Sequence, residues 1–168
     1  MIETRLGAQP AVTDDLPRLL RCLLPPAAAS AAGGLATVDS VKSWYPTLDK
    51  PGFTPPSWVF GPAWTLLYVL MGVADYLVAR QGDGPEVRRA RGIYRVQLAL
   101  NALWSVLFFG RRSPLAGLVE IVGLLVAIGL TVAAFARVSR PAALLLAPYL
   151  LWTCFAAALN LEIWRRNR

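Results

Sequence analysis

Histidine is absent from the chain. With it go the commonest general base and the commonest metal ligand. Cysteine is nearly absent: Cys22 and Cys154 stand in separate apolar stretches, with no Cys-x-x-Cys or Cys/His spacing. Both are expected to be buried, inert thiols, and they cannot assemble a structural metal site. Charge is scarce, at 16% of 168 residues, and it is grouped in short clusters between long uncharged runs. No constellation of nucleophile, base and orienting group supports hydrolytic or group-transfer catalysis, so neither a conventional enzyme nor a cofactor is expected. No internal repeat is evident, and with it the inverted repeats of secondary transporters.

What the chain has in abundance is apolar residues, 56% of the total, with a mean hydropathy of +0.49. Soluble domains average roughly 45–50% apolar. Apolar runs separated by charged clusters are the pattern of an integral membrane protein, and the length allows one domain. The net charge of +7 is carried mostly by Arg. These residues flank apolar runs and form no long basic tract, which argues for anchoring at lipid headgroups and against nucleic acid.

Residues 1–17 read as a polar leader. Spans of about the ~20 residues needed to cross the hydrocarbon follow at 19–38, 57–79, 93–110, 114–136 and 141–164. The expected class is therefore all-α, a five-transmembrane-helix bundle in one domain over 18–168. The first span is weak, being interrupted by Pro25-Pro26, and a cleaved signal peptide is its rival reading. Its Ala29, Ser30, Gly33 and Gly34 suit close helix packing. A proline-rich loop, 39–56, follows it, and a polar loop covers Arg80 to Arg91. Loops as long as the first are often functional. Arg and Lys are somewhat more numerous on the N-terminal side, which favours a cytoplasmic N-terminus.

Helical periodicity places Trp64, Tyr68, Met71 and Asp75 in one stripe of the second span. Tyr94, Gln97, Asn101, Trp104 and Phe108 form another in the third, and Tyr149, Trp152, Ala156 and Asn160 another in the fifth. One stripe alone is ordinary helix packing with amide glue. Three together predict a central cavity for a large, flat, mostly apolar ligand, with aromatic faces for stacking and sparse polar groups for orientation. The fourth span has no such stripe and is expected to face lipid or a second copy, with Gly123-xxx-Ala127 as a packing opportunity. Three acids fall within spans. Asp75 and Glu162 stand near Arg80 and Arg165-Arg166, which suggests ion pairing or snorkelling. Glu120 lies deeper, with Arg111 or Arg112 as candidate partners. A proton relay is the functional alternative for each.

The block Trp44-Tyr45, Leu48-x-Lys50-Pro51-x-Phe53-x-Pro55-Pro56-x-Trp58-x-Phe60-x-Pro62-x-Trp64-Thr65-x-Leu67-Tyr68, continuing to Met71-Gly72, resembles the translocator protein family. This is also called the tryptophan-rich sensory protein or peripheral-type benzodiazepine receptor family. The likeness returns in Gln97-Leu98-x-Leu100-Asn101-x-Leu103-Trp104, Phe108-Phe109-Gly110, Pro148-Tyr149-Leu150-x-Trp152, Leu159-Asn160 and Trp164-Arg165. The resemblance implies a five-helix bundle, commonly a homodimer, with a cavity under a lid formed by the first loop. It also implies tetrapyrrole ligands such as protoporphyrin IX; animal members bind cholesterol and synthetic ligands as well. Tyr45, Trp64, Asn101, Trp152 and Ala156 match pocket positions, and Trp64 and Trp152 match tryptophans linked to porphyrin photodegradation. With Trp44, Tyr68, Trp104 and Tyr149 from the motif and stripes, these are the candidate ligand-binding residues. The chain departs from the family in several places. Leu161 and Glu162 follow Asn160 where the animal cholesterol motif needs Tyr, Asp75 stands where relatives carry small or apolar residues, and the leader is longer. The expected role is tetrapyrrole binding or sensing in a multi-pass membrane protein of bacterial composition. Light-dependent porphyrin breakdown through Trp64 and Trp152 is a possible extension, and transport of porphyrins or other amphipaths is the alternative.

Overall fold

The computed structural model describes residues 15–168; the rest of the expected leader, 1–14, lies outside the described residues. Every regular element among the described residues is helical. Helix α1 spans Asp15–Ser43, α2 Ser57–Ala79 and α3 Pro85–Ser105, which runs into a π-helical turn at Val106–Gly110. Helix α4 spans Pro114–Val138, and the fifth span is split into α5, Arg140–Leu145, and α6, Ala147–Arg166. Five segments are long and apolar enough to cross a membrane, from Asp15–Ser43 to Arg140–Arg166. The result is the expected five-helix membrane bundle.

The helices close into a ring. α1 packs on α2 and α3, α3 on α4, α4 on α5 and α6, and α2 on α5. Between transmembrane helices the contact energy is mostly van der Waals, so small residues decide how near two backbones come. Gly72 is the clearest case: a Cβ there would lie 2.5 Å from Leu23 Cδ2 and 3.2 Å from Leu23 Cα. At the centre, Met71, Val78, Ile128, Phe135 and Tyr149 are fully buried. Val119, Val122, Val126 and Leu130 of α4 are exposed on the outer face, as a lipid-facing surface requires.

Several boundaries differ from those read in the sequence. α1 runs unbroken through Pro25 and Pro26 and on to Ser43, so the first connection covers only 44–56. Proline costs a helix one donor, but a membrane bundle lets neighbouring groups satisfy the freed carbonyl. α3 starts at Pro85, and most of the supposed polar loop is its first two turns. Proline at the first helical position with Glu86 behind it is a sound start signal. Apolarity reports where hydrocarbon begins, whereas a helix continues into the headgroups. The fifth span breaks at Leu146 because Pro148 has no N–H for the Leu144 carbonyl. α4 begins where Ser113 accepts from the Ala116 amide at 3.2 Å, with Pro114 next in line.

Candidate ligand-binding site

One half of the ring is filled and the other is hollow. The hollow half encloses a cavity of about 400 Å³, bounded by α1, the first loop, α2, the end of α3 and α6. Ligand pockets run about 300–1,000 Å³. α4 contributes no lining residue, in keeping with its lack of an aromatic stripe. Of the nine residues expected from the sequence, Tyr45, Trp64, Tyr68, Trp104, Trp152 and Ala156 line the cavity. No charged side chain among the described residues does.

The other three sit behind the wall. Tyr68 donates its hydroxyl to Asn101 Oδ1 at 2.7 Å, and Asn101 Nδ2 donates to the Tyr149 hydroxyl at 3.1 Å. Gln97 Nε2 reaches the same hydroxyl at 2.7 Å. Asn101 and Tyr149 are thus the buried floor, and they orient the phenol of Tyr68 above them. Trp44 packs edge-on against Phe108, with ring centroids 5.6 Å apart, and stands outside the lining.

Rings missed in the sequence complete the wall: Phe60, Phe109 and Phe155. Phe60 lies four residues before Trp64 and Phe155 three after Trp152, so extending each stripe by one turn finds both. Phe108 and Phe109 are adjacent yet both face inward, because the π-helical turn shortens the angular step between neighbours. That turn is held by the Ser40 hydroxyl, which donates to the Phe109 carbonyl at 2.7 Å. Ser30, Gly33, Gly34 and Thr37 form the α1 side. Trp104 stacks on Phe108 at 5.2 Å and donates to Asn160 Oδ1 at 3.3 Å, while Asn160 Nδ2 donates to the Pro114 carbonyl at 2.8 Å.

The first loop caps this half. Tyr45–Thr47 forms a 3-10 turn, and Lys50 Nζ wraps it by donating to the carbonyls of Tyr45 and Leu48, both at 2.9 Å. The same ammonium lies 5.1 Å from the Tyr45 ring centroid. Burial pushes the Tyr45 phenol above its ordinary pKa. Asn167, past the end of α6, pins the loop: Asp49 N donates to its Oδ1 at 3.0 Å, and its Nδ2 donates back to Asp49 O at 2.9 Å.

The filled half corrects three expectations about charge and thiols. Asp75 pairs with Arg91, not Arg80: Arg91 Nε and Nη2 donate to its two oxygens at 2.7 and 2.9 Å. The early start of α3 brings Arg91 beside α2, and Arg80 turns to Asp15 at 3.7 Å. Glu120 pairs with neither Arg111 nor Arg112; both of its oxygens are buried without a hydrogen-bond partner among the described residues. Tyr94 Oη and Gln97 Oε1 are likewise unpartnered. Glu162 does meet Arg165 and Arg166, at 3.3 and 3.8 Å. Cys22 is buried beside Arg91, but Cys154 is exposed on the outer face of α6. Ala127 is buried in the bundle, so Gly123-xxx-Ala127 offers no open small-residue face.

The profile of the TspO/MBR family matches residues 22–165. The chain belongs to the TspO/MBR family. It is similar to the tryptophan-rich protein TspO of Archaeoglobus fulgidus, 46% identical over 150 residues that cover 89% of this chain and 97% of the relative. It is 42% identical to the translocator protein of Homo sapiens over 126 residues, 74% of this chain and 75% of the relative. The tryptophan-rich sensory protein of Cereibacter sphaeroides is 37% identical over 142 residues, 82% of this chain and 87% of the relative. With its five spans, this family member is a multi-pass integral membrane protein.

Proposed function

We propose that the chain is a membrane-embedded binding and sensory protein for tetrapyrroles such as protoporphyrin IX, held in the aromatic cavity. The observation that carries this reading is a cavity walled by Tyr45, Trp64, Tyr68, Trp104, Phe108 and Trp152, with no charged side chain among the described residues. Aromatic faces stack on a flat macrocycle, and Tyr68, whose proton is committed to Asn101, offers lone pairs to a ligand N–H. A porphyrin's carboxylates have no cation inside, so they belong at the mouth, where Lys50 stands beside Tyr45. The names of relatives, translocator and sensory protein, agree with a small-molecule receptor in a membrane. The reading includes a homodimer surrounded by lipid.

The test is tryptophan-fluorescence titration of the detergent-purified chain with protoporphyrin IX, beside the Trp64→Phe/Trp152→Phe variant. Saturable quenching in the wild type, weakened about fivefold in the variant because two indole faces shrink to phenyl rings, is the expected result. Linear quenching in both would mean partitioning into detergent and would overturn the site. Illumination in air extends the test. Porphyrin absorbance should fall faster than beside serum albumin, and only with both indoles present, if the bound ligand is also broken down.

A further inference from the structure

A second, smaller cleft of about 220 Å³ lies at the end of α3 away from the aromatic cavity. Its walls are Asp83, Val87, Arg88, Arg91 and Arg95. The three arginines follow at intervals of three and four residues, so they share one face of α3. Two of them are held from behind. Arg91 grips Asp75 through Nε and Nη2, which leaves Nη1 without a partner among the described residues. Arg88 Nη1 donates to the Asp83 carbonyl. No hydrogen bond or ion pair involves the Arg95 side chain among the described residues.

We propose that this cleft binds the phosphodiester of an anionic phospholipid headgroup. Guanidinium groups present paired N–H donors at the spacing of phosphate oxygens; Arg95 and the Nε/Nη2 edge of Arg88 can do so here, with Arg91 adding Nη1, and Arg91 and Arg88 are pre-positioned by Asp75 and the Asp83 carbonyl. Three arginines set against Asp75 and Asp83 leave one positive charge, which matches a phosphodiester monoanion. Depth agrees as well. Arg88 to Arg95 covers about 10 Å of helix, from the headgroup layer to the first turn of the hydrocarbon. Val96 and Leu103 are exposed further along α3 and supply apolar surface for acyl chains. A choline headgroup brings its own cation toward the arginines. Free phosphate shares the oxygen chemistry but gains nothing from that apolar surface.

The experiment uses the full chain in nanodiscs of phosphatidylglycerol mixed with phosphatidylcholine, with co-retained lipid read by native mass spectrometry. The wild type is expected to retain phosphatidylglycerol preferentially. The preference should fall about fivefold for each arginine removed, in Arg95→Gln and then Arg88→Gln/Arg95→Gln. Unfolding temperatures in pure phosphatidylcholine should stay unchanged. If the double variant unfolds there, Arg95→Gln decides alone, since that side chain makes no hydrogen bond among the described residues. Equal retention of the two lipids, or a preference that survives Arg95→Gln, overturns the proposal. So does inorganic phosphate that displaces phosphatidylglycerol at millimolar concentration, because the cleft would then be a site for the free anion.

Discussion

Asp75 has a side chain only 3% exposed, inside a membrane bundle, and it stays there because Arg91 meets both of its oxygens. Removing one member of a buried pair costs about 3–5 kcal/mol, because the other is left charged and dry. Arg91 is 28% exposed and keeps some water, so Asp75→Ala should cost nearer ~2–3 kcal/mol. Denaturant unfolding in mixed micelles measures this. Asp75→Leu with Arg91→Leu should recover most of the loss, since packing then replaces the pair; a double variant as weak as the single one would disprove the pairing argument. The partner was not legible in the sequence. Arg80 is five residues from Asp75, whereas Arg91 is sixteen away, at the end of the polar loop that the sequence predicts. Periodicity correctly put Asp75 on the inward face with Met71, but it carries no information on what stands opposite.

Between elements, two contacts set geometry out of proportion to their size. The α1–α2 approach depends on the missing side chain of Gly72, so Gly72→Ala should cost about 1–3 kcal/mol as overpacking against Leu23. Leu23→Ala in the same chain should relieve it, and thermal unfolding of the two variants in detergent separates a steric cause from a change in helix propensity. The loop over the cavity rests on the Asn167 amide and the Asp49 backbone. Asn167→Ala removes both hydrogen bonds, so hydrogen exchange over 44–56 should quicken about tenfold. Stopped-flow binding should show association and dissociation rising together, with little change in affinity, because the amide does not line the cavity. That clasp had no signal in the sequence, since its halves are 118 residues apart. The π-helical turn had none either: five apolar residues ending in Gly read equally well as ordinary helix.

For the molecule as a whole, the spans were legible because a membrane demands long apolar runs and leaves them few alternatives. The aromatic faces of α2, α3 and α6 were legible for a similar reason: helical spacing gives direction around an axis. It does not give depth, and so Asn101 and Tyr149 were grouped with Trp64 and Trp152 although they form the floor beneath them. The missing aromatic stripe did set α4 outside the cavity, but spacing does not show that α1, which has no aromatic stripe either, forms one side. The ring order decides that, and it becomes visible only once the helices are assembled.

The break at Leu146 has a mechanical corollary. α2 packs on α5, and α6 continues past a single non-helical residue, so a bend between the two would turn about Leu146. At about 1.5 Å of rise per residue, Trp152 stands ~9 Å from that pivot and Ile163 ~26 Å. Any swing of α6 therefore widens the aperture near Ile163 about three times as far as it displaces Trp152. Asn167 sits beyond Ile163, at the long end of this lever, where a single amide has the greatest leverage over the opening and the least effect on the rings that grip.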